Sequence, residues 1–331
     1  MRRDSSSPFL LGVNYPWLNY GEDFGLCGTH HHGVSLPANQ KQLARDFAAM
    51  RDCGISVVRW FLFADGRAGF LSEKGIPARP DALLLKDVAA ALQLAGDAGL
   101  KLCFALVDYL WLQKKPKTAF HHPHAHVLHS AAGRESFLER VLVPLFQEFR
   151  GHPALYAWDI VNEPEWAIRE FRPISSVHPN SFAKMRLSDF RPFAHKIVQA
   201  VHEFAAVPVT LGSARLSWLR AWSEIDLDIL QAHYYPSVGI RREPALVRQL
   251  HALLDLDKPL WLGELPAQFP SSKSYSLEDA LTVCRDAGLS GAAIWRWTTP
   301  GPEGSDLKIG TVNPDALQSW LNTNNASGPS I

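Results

Sequence analysis

Residues 155–166 read LYAWDIVNEPEW, an apolar run that turns polar at Asn162-Glu163-Pro164. Similar short runs rich in apolar and β-branched residues recur along the chain, mostly separated by longer stretches with the spacing of helices. Strands that are apolar on both faces suit a parallel sheet covered on both sides. The predicted strands are 9–14, 56–63, 101–109, 155–161, 207–211, 229–234, 260–264 and 291–297.

The segments between these strands predict a barrel of alternating strands and helices. In the first predicted helix, Leu43, Phe47 and Met50 share one face. Because eight strands alternate with helices and no G-x-G-x-x-G opens the first helix, the pattern favours an α/β fold, a single (β/α)8 TIM barrel, over a doubly wound sheet. The predicted helices are 38–53, 82–99, 134–149, 188–204, 243–255, 277–287 and 314–321.

The length of the chain predicts long loops after the strands. The 331 residues exceed the roughly 250 that such a barrel needs. We expect the surplus in three βα loops, at 16–37, 111–133 and 165–187. The predicted organisation is an N-terminal extension at 1–8, the barrel at 9–322 and a flexible tail at 323–331.

Composition narrows the range of partners. The 33 Lys and Arg residues balance 33 Asp and Glu residues, so no net charge attracts nucleic acid or an anionic membrane. No signal peptide or membrane span is predicted, which indicates a cytoplasmic protein if the printed N-terminus is native, with a secreted mature form left open. The four cysteines form no C-x-x-C pair and are predicted to be free thiols: Cys27, Cys53, Cys103 and Cys284. The sequence has no heptad repeat, so it does not predict an oligomeric state.

Polar and aromatic residues cluster at the predicted strand ends, where a barrel of this kind builds its active site. Glu163 and Glu264 end strands four and seven, so closure of the barrel brings both to one mouth. Paired carboxylates are used in glycoside hydrolysis, which needs one protonated acid and one ionised carboxylate. The other candidates at strand ends are Arg59, Asn162, His233, Tyr235, Trp295 and Trp297.

These strand ends resemble the glycoside hydrolases of clan A, which carry catalytic glutamates on strands four and seven. Among them, family 5, the cellulase and β-mannanase group, is the most similar. The resemblance implies that Glu163 is the acid/base and Glu264 the nucleophile, with no cofactor and no metal. It also implies that Asn162 binds the sugar 2-hydroxyl and that Arg59 keeps the nucleophile ionised.

The resemblance extends to three further strands. It implies that Tyr235 donates a hydrogen bond to the nucleophile and that His233 contacts the substrate or the acid/base. Trp295 would form an aromatic platform, with Trp297 as the alternative. Family 5 enzymes often have a histidine after strand three, whereas this chain has Asp108 and Tyr109, either of which could bind sugar.

Aromatic residues in the predicted loops indicate a sugar cleft, because the C–H faces of sugars pack on aromatic rings. These residues are Trp17 with Tyr20 and Phe24, Trp111, and Trp166. In contrast, Trp158, Trp261 and Asp159 lie within strands and are predicted to be structural. Two histidine clusters, at 30–32 and at 121, 122, 124, 126 and 129, match no metal-binding motif and are predicted to line or cap the groove.

The sequence therefore predicts a retaining β-glycoside hydrolase that cleaves β-linked glycans by double displacement. The resemblance implies that the substrate is β-1,4-mannan or β-1,4-glucan. An exo-acting oligosaccharide β-glycosidase or a transglycosylase of the same clan stays open. So do a non-catalytic carbohydrate-binding barrel and a metal-dependent hydrolase that uses the histidine loops. Retention predicts carboxyl groups about 5 to 5.5 Å apart, against about 6.5 to 9.5 Å for inversion.

Overall fold

Eight parallel strands close into a barrel in the computed structural model, which confirms the predicted (β/α)8 fold. The strands are β1 Leu10–Asn14, β2 Val57–Phe61, β3 Lys101–Ala105, β4 Leu155–Asn162, β5 Val209–Ser213, β6 Leu230–His233, β7 Leu260–Pro266 and β8 Gly291–Trp295. The structure describes residues 8–112, 127–171, 185–238, 241–242, 246–251, 253, 256–269, 276–297 and 311–325.

The pairing of β1 with β8 closes the barrel, in a register that aligns Leu10 with Gly291. Three strands change register close to their C-terminal ends: β4 between Asp159 and Asn162, β6 between Ala232 and His233, and β7 after Leu262. Such irregularities re-aim the side chains that follow them. The three strands that show these irregularities carry Asn162, His233 and Glu264 at or near their C-terminal ends.

Helices occupy the connections between the strands of the barrel. The prediction for the first helix is confirmed, because Leu43, Phe47 and Met50 are buried. Asp81 begins the second helix by accepting the backbone N–H groups of Leu83 and Leu84. The helices are α1 Pro37–Asp52, α2 Ala82–Asp97, α3 Ala131–Phe137, α4 Val143–Glu148, α5 Leu187–Phe204, α6 Leu246–His251, α7 Leu277–Asp286 and α8 Pro314–Asn325.

Several connections differ from the predicted elements. The helix predicted at 134–149 is divided, because a π-helical segment at Leu138–Leu142 separates α3 from α4. A 3-10 helix at Leu216–Trp222 connects β5 to β6. The last helix continues to Asn325, past the predicted boundary at 322, and residues 326–331 lie outside the described part of the chain. Of the helix predicted at 243–255, residues 243–245, 252 and 254–255 also lie outside it.

The loop after β2 forms an antiparallel hairpin, Phe70–Glu73 with Ile76–Pro80, which the sequence pattern did not predict. Its turn is Lys74-Gly75, and both residues have positive φ, at 51° and 77°. Two central residues with positive φ match the twist of a tight hairpin. The hairpin adds an ordered antiparallel pair of strands between β2 and α2.

The core follows the predicted strands. Trp158 and Trp261 are fully buried, as predicted. All four cysteines are free, with Cys53, Cys103 and Cys284 buried and Cys27 half-buried, in agreement with the predicted thiols. Within the described residues, the helices are too short or too polar for one of them to cross a membrane.

Candidate active site

Glu163 and Glu264 meet at the mouth of the barrel. His233 lies between them, with Nδ1 2.8 Å from Oε1 of Glu163 and 3.5 Å from Oε1 of Glu264. Donor atoms of the three side chains all lie within 4.8 Å of one another. The nearest oxygens of the two carboxylates are therefore closer together than the separation of about 6.5 to 9.5 Å that an inverting pair needs to admit a water molecule.

Arg59, fully buried at the centre of β2, is hydrogen-bonded to Glu264. Its Nη1 donates to Oε1 of Glu264 at 3.0 Å and to Oδ1 of Asn14, also at 3.0 Å. Its Nη2 donates to Oδ1 of Asn162 at 2.8 Å. A guanidinium has donors in a fixed fork, so Arg59 sets the relative positions of side chains from β1, β4 and β7.

Asp159 fixes Arg59 in turn. Its Oδ2 accepts Nε and Nη2 of Arg59 at 2.9 and 2.8 Å, and Nε2 of Gln231 at 2.7 Å. Its Oδ1 accepts the backbone N–H of Gly212 at 2.9 Å. Both side chains of this ion pair are completely buried. Asp159 is therefore a structural group within the barrel, as predicted, because it neutralises a buried arginine.

Groups around Glu264 partly offset the effect of burial on its pKa. Burial raises the pKa of Glu264, and the nearby Glu163 carboxylate raises it further. The positive charge of Arg59 and the Tyr235 hydroxyl, which donates to Oε2 at 2.6 Å, lower it. These partners stabilise the carboxylate form, since a charge-assisted hydrogen bond favours the ionised acceptor.

Glu163 is hydrogen-bonded to Trp166 and His233, whereas Glu264 is hydrogen-bonded to a guanidinium group. Burial raises its pKa to about 7, while the hydrogen bond from Trp166 and the charges of Arg59 and Arg215 lower it in part. The indole Nε1 of Trp166 donates to Oε2 at 2.7 Å. The two carboxyl groups therefore differ in environment, and a substantial part of Glu163 is protonated near neutral pH.

The backbone of Glu163 has a left-handed conformation, with φ 49° and ψ 47°. For a residue with a side chain this costs about 1 kcal/mol or more. Two features hold it: the N–H of Glu163 donates to the carbonyl of Gly212 at 2.7 Å, and Pro164 opens a 3-10 turn over Pro164–Ala167. Glu165 ties that turn to the next strand, since it accepts the backbone N–H of Ala214 at 3.0 Å.

His233 is a neutral imidazole in this environment, because burial lowers its pKa to about 4. Its Nε2 is buried and has no hydrogen-bond partner among the described residues. A tautomer with the proton on Nδ1 leaves no buried donor unpaired and lets Nδ1 donate to Glu163.

Glu163, His233 and Glu264 form the one group in the described ranges with three donors close enough to hold a metal ion. Arg59 stands 3.0 Å from Glu264, and its fixed positive charge opposes a cation there. Trp166 and Tyr235 also already donate to the two carboxylates. The donor set therefore fits proton transfer and nucleophilic attack better than a cation site.

Aromatic side chains line one side of this mouth. Trp295, the last residue of β8, is half-buried, and its ring centre lies 6.5 Å from that of Trp17 and 6.4 Å from that of Phe61. Tyr20 packs edge-on against Trp17 with ring centres 4.8 Å apart. The indole Nε1 of Trp17 is buried and lacks a hydrogen-bond partner within the described part of the chain. These rings form the rim beside β1, β2 and β8.

Three aromatic residues predicted near the sugar lie in the core instead. Trp111 is 1% exposed, and its Nε1 donates to the carbonyl of Ala64 at 2.9 Å. Phe24 is 1% exposed and packs on Trp60. Trp297, the alternative platform, is buried beyond the end of β8. An aromatic platform needs an exposed ring face, so the expectation for these three residues is corrected.

One histidine of the first loop, His31, differs from the prediction. Nε2 of His31 lies 3.1 Å from both oxygens of the buried Asp87, which also accepts the backbone N–H groups of Gly25 and Ser35. His31 therefore anchors the β1 loop to α2 and does not line the groove. His30 and His32 are exposed on a short hairpin, and residues 121, 122, 124 and 126 lie outside the described residues.

Asn14 is a site residue that the sequence reasoning missed. It ends β1, accepts from Arg59, and donates through Nδ2 to the carbonyl of Gly263 at 2.8 Å. The rule applied to the other strands, which looks for a polar residue at the strand end, would have found it. Arg215 is a second omission: its guanidinium lies 5.5 Å from the ring centre of Trp166 and 5.0 Å from that of Trp218, just after β5.

Comparisons with known proteins agree with the barrel fold. No protein-family model matches the chain. A mannan endo-1,4-beta-mannosidase of Cryptopygus antarcticus is 20% identical over 326 residues, which cover 88% of this chain and 81% of that protein. One from Mytilus edulis is 26% identical over 162 residues, or 49% and 41% of the two chains. The structure of beta-mannanase from the blue mussel Mytilus edulis superposes with a TM-score of 0.73 and 21% identity, covering 95% of this chain and 92% of that one.

A closed parallel barrel whose fourth and seventh strands present two facing glutamates defines a barrel glycoside hydrolase, and the relatives confirm this class. Within the class, the similarity is to the β-mannanases. The resemblance to family 5 of clan A is thereby confirmed.

Proposed function

We propose that this protein hydrolyses β-1,4-linked mannan with retention of anomeric configuration. The observation that carries the proposal is the pair of carboxylates, Glu163 and Glu264, with oxygens within 4.8 Å and with unlike partners. Mannan is the substrate class because the relative that matches 88% of the chain, and a second that matches 49% of it, are both named mannan endo-1,4-beta-mannosidase. A carbohydrate is therefore the partner of this mouth.

In the first step, Glu264 attacks the anomeric carbon, and the bond from that carbon to the leaving oxygen breaks. Arg59 and Tyr235 keep the attacking carboxylate ionised and oriented through contacts of 3.0 and 2.6 Å. Glu163, with a pKa near 7, gives its proton to the departing oxygen. The products of this step are a glycosyl ester on Glu264, a free sugar hydroxyl and an ionised Glu163.

In the second step, Glu163 acts as a base. It takes a proton from water while the water oxygen attacks the anomeric carbon and displaces Glu264 as a carboxylate. Since Glu264 is uncharged as an ester, its repulsion of the nearby Glu163 carboxylate is absent in the intermediate, which favours the ionised form that a base requires. Water returns both glutamates to their starting states.

The other residues bind and position the sugar. Asn162 is held beside Arg59 by a hydrogen bond, and in our proposal it binds the 2-hydroxyl of the sugar. Trp295 and Trp17 offer ring faces on the rim beside β8, and Trp166 fixes Glu163. His233, neutral and buried, orients Glu163 through Nδ1. Each of these is a substrate-binding or positioning role in our proposal.

The test measures reducing-sugar release from β-mannan, galactomannan, β-1,4-glucan, xylan and short β-linked oligosaccharides. Glu264→Ala and Glu163→Gln are compared with the wild type and with Glu224→Gln, a matched change at an exposed glutamate. We expect mannan to be cut, both site variants to lose at least about 100-fold, and the control to stay active.

Other outcomes identify the alternatives. Binding of mannan without release of sugar favours a carbohydrate-binding barrel and overturns the proposal. Loss of activity in a chelator favours a metal-dependent hydrolase and also overturns it. Product chain lengths separate endo from exo cleavage, and products longer than the substrate reveal transglycosylation. Release of sugar from glucan alone would move the substrate to β-1,4-glucan.

A further inference from the structure

Asp108, three residues after the end of β3, is hydrogen-bonded to Asn162 at the end of β4. Its Oδ2 accepts Nδ2 of Asn162 at 2.8 Å, and its Oδ1 accepts the backbone N–H of Leu110 at 3.0 Å. The backbones are also joined, because the N–H of Asn162 donates to the carbonyl of Val107 at 2.9 Å. The carboxylate is thus fixed at both oxygens and faces the amide from the β3 side.

Asn162 is held from the opposite side by Arg59. A side-chain amide has one acceptor oxygen and two N–H donors. Here the oxygen accepts Nη2 of Arg59 at 2.8 Å, and the nitrogen donates to Asp108. If the amide rotated by half a turn, its N–H groups would face the guanidinium donors of Arg59, which is repulsive. Burial raises the pKa of Asp108 to about 7, and its ionised form accepts only in the orientation seen here, so both neighbours favour that orientation.

We propose that Asp108 is a positioning residue that acts through Asn162, by fixing the amide so that its second N–H is available to the sugar hydroxyl next to the anomeric carbon. This inference rests on the proposed function for the site. It differs from a direct sugar contact by Asp108, which the sequence alone left open. The ligand group concerned is a secondary hydroxyl that can accept a hydrogen bond.

The first experiment is a double-mutant cycle on kcat/KM for a manno-oligosaccharide, with Asp108→Ala, Asn162→Ala and the combined variant. Loss of one side-chain hydrogen bond, at about 0.5 to 1.5 kcal/mol, corresponds to an effect of up to about tenfold. We expect Asp108→Ala to lose about tenfold, and the combined variant to be no worse than Asn162→Ala alone. Losses that multiply, or no loss in Asp108→Ala, would overturn the inference.

Asp108→Asn is the conservative variant, because it keeps one oxygen of the right geometry for Asn162. We expect it to recover part of the activity lost in Asp108→Ala, and a loss as large as that of alanine counts against the proposal. Asp226→Ala, which removes an exposed aspartate paired with Lys258, is the control and should match the wild type. The thermal unfolding of each variant shows whether a loss of activity comes from unfolding or from a misplaced Asn162 amide.

A crystal structure of Asp108→Ala, or of Asp108→Leu, which also lacks an acceptor, if alanine does not fold, tests the inference without activity. We expect the Asn162 amide to take a second orientation or to move away from its place beside Arg59. An amide that stays fixed in the wild-type orientation overturns the positioning role. If the wild type cuts no β-glycan, the proposed function fails, yet this structural result still decides whether Asp108 orients Asn162.

Discussion

Replacing Tyr235 with phenylalanine removes one hydroxyl group and leaves the ring in place. That hydroxyl donates to Oε2 of Glu264 at 2.6 Å, a short hydrogen bond to a carboxylate. It stabilises the ionised form, and the protonated form gains little from it. Tyr235→Phe should therefore raise the pKa of Glu264, which burial already raises.

The size of the shift follows from the strength of the hydrogen bond. A hydrogen bond to a charged group contributes about 1.5 to 3 kcal/mol, and one pKa unit corresponds to about 1.36 kcal/mol. The pKa of Glu264 should rise by about 1 to 2 units. Since Glu264 reacts only when ionised, kcat/KM should fall by about 10- to 100-fold on the acid side of the profile and much less near its maximum.

The assay is the pH dependence of kcat/KM for a manno-oligosaccharide, from about pH 3 to 9, in the wild type and the variant. The acid limb should move toward the basic limb, which narrows the bell, while the basic limb set by Glu163 stays in place. Tyr156→Phe, a half-buried tyrosine at the start of β4 that packs on Trp261, is the control. An acid limb that does not move, or an equal loss at every pH, would refute the reasoning.

Further predictions concern the acid/base and the aromatic residues. In Trp166→Phe the donor 2.7 Å from Glu163 is lost, so the pKa of Glu163 should rise above about 7 and the basic limb of kcat/KM should move about 1 unit higher. Glu163→Gln should remove the basic limb, because the wild-type acid is protonated below that pKa and lost above it, and should lower kcat/KM on mannan by about 10²- to 10⁴-fold. Trp111→Ala should lower the free energy of unfolding in urea by about 3 to 5 kcal/mol with an unchanged KM. Trp17→Ala, in contrast, should raise KM several-fold and leave the free energy of unfolding almost unchanged. NMR of fresh product should show the β-anomer first if the site is retaining.

The strand-end residues could be predicted because their positions follow from local patterns. The apolar run before Asn162-Glu163 marks β4, and the run before Glu264 marks β7. Parallel strands in a closed barrel place all their C-terminal ends on one face. Two glutamates 101 residues apart in sequence, 264 − 163, were therefore expected at one mouth without knowledge of a single contact.

Side chains in the loops could not be predicted in the same way. Trp111 and Trp17 both follow a strand, yet Trp111 is buried and Trp17 lies on the rim. The difference arises because a 3-10 turn at Tyr109–Leu112 directs Trp111 toward Phe137 and the hairpin after β2. A loop has no repeating period, so its sequence does not tell which side of a ring meets water.

The sequence by itself determined the barrel, the order of its strands and the identity of the two glutamates, because hydrophobic periodicity and strand ends are properties of neighbouring residues. Only the tertiary structure decided how those glutamates differ. Arg59 reaches Glu264 from 205 residues away in sequence, and His233 reaches Glu163 from 70 residues away, on another strand. Burial and charge at a point depend on all elements that surround it, so the pKa of each carboxyl group is set by the folded chain.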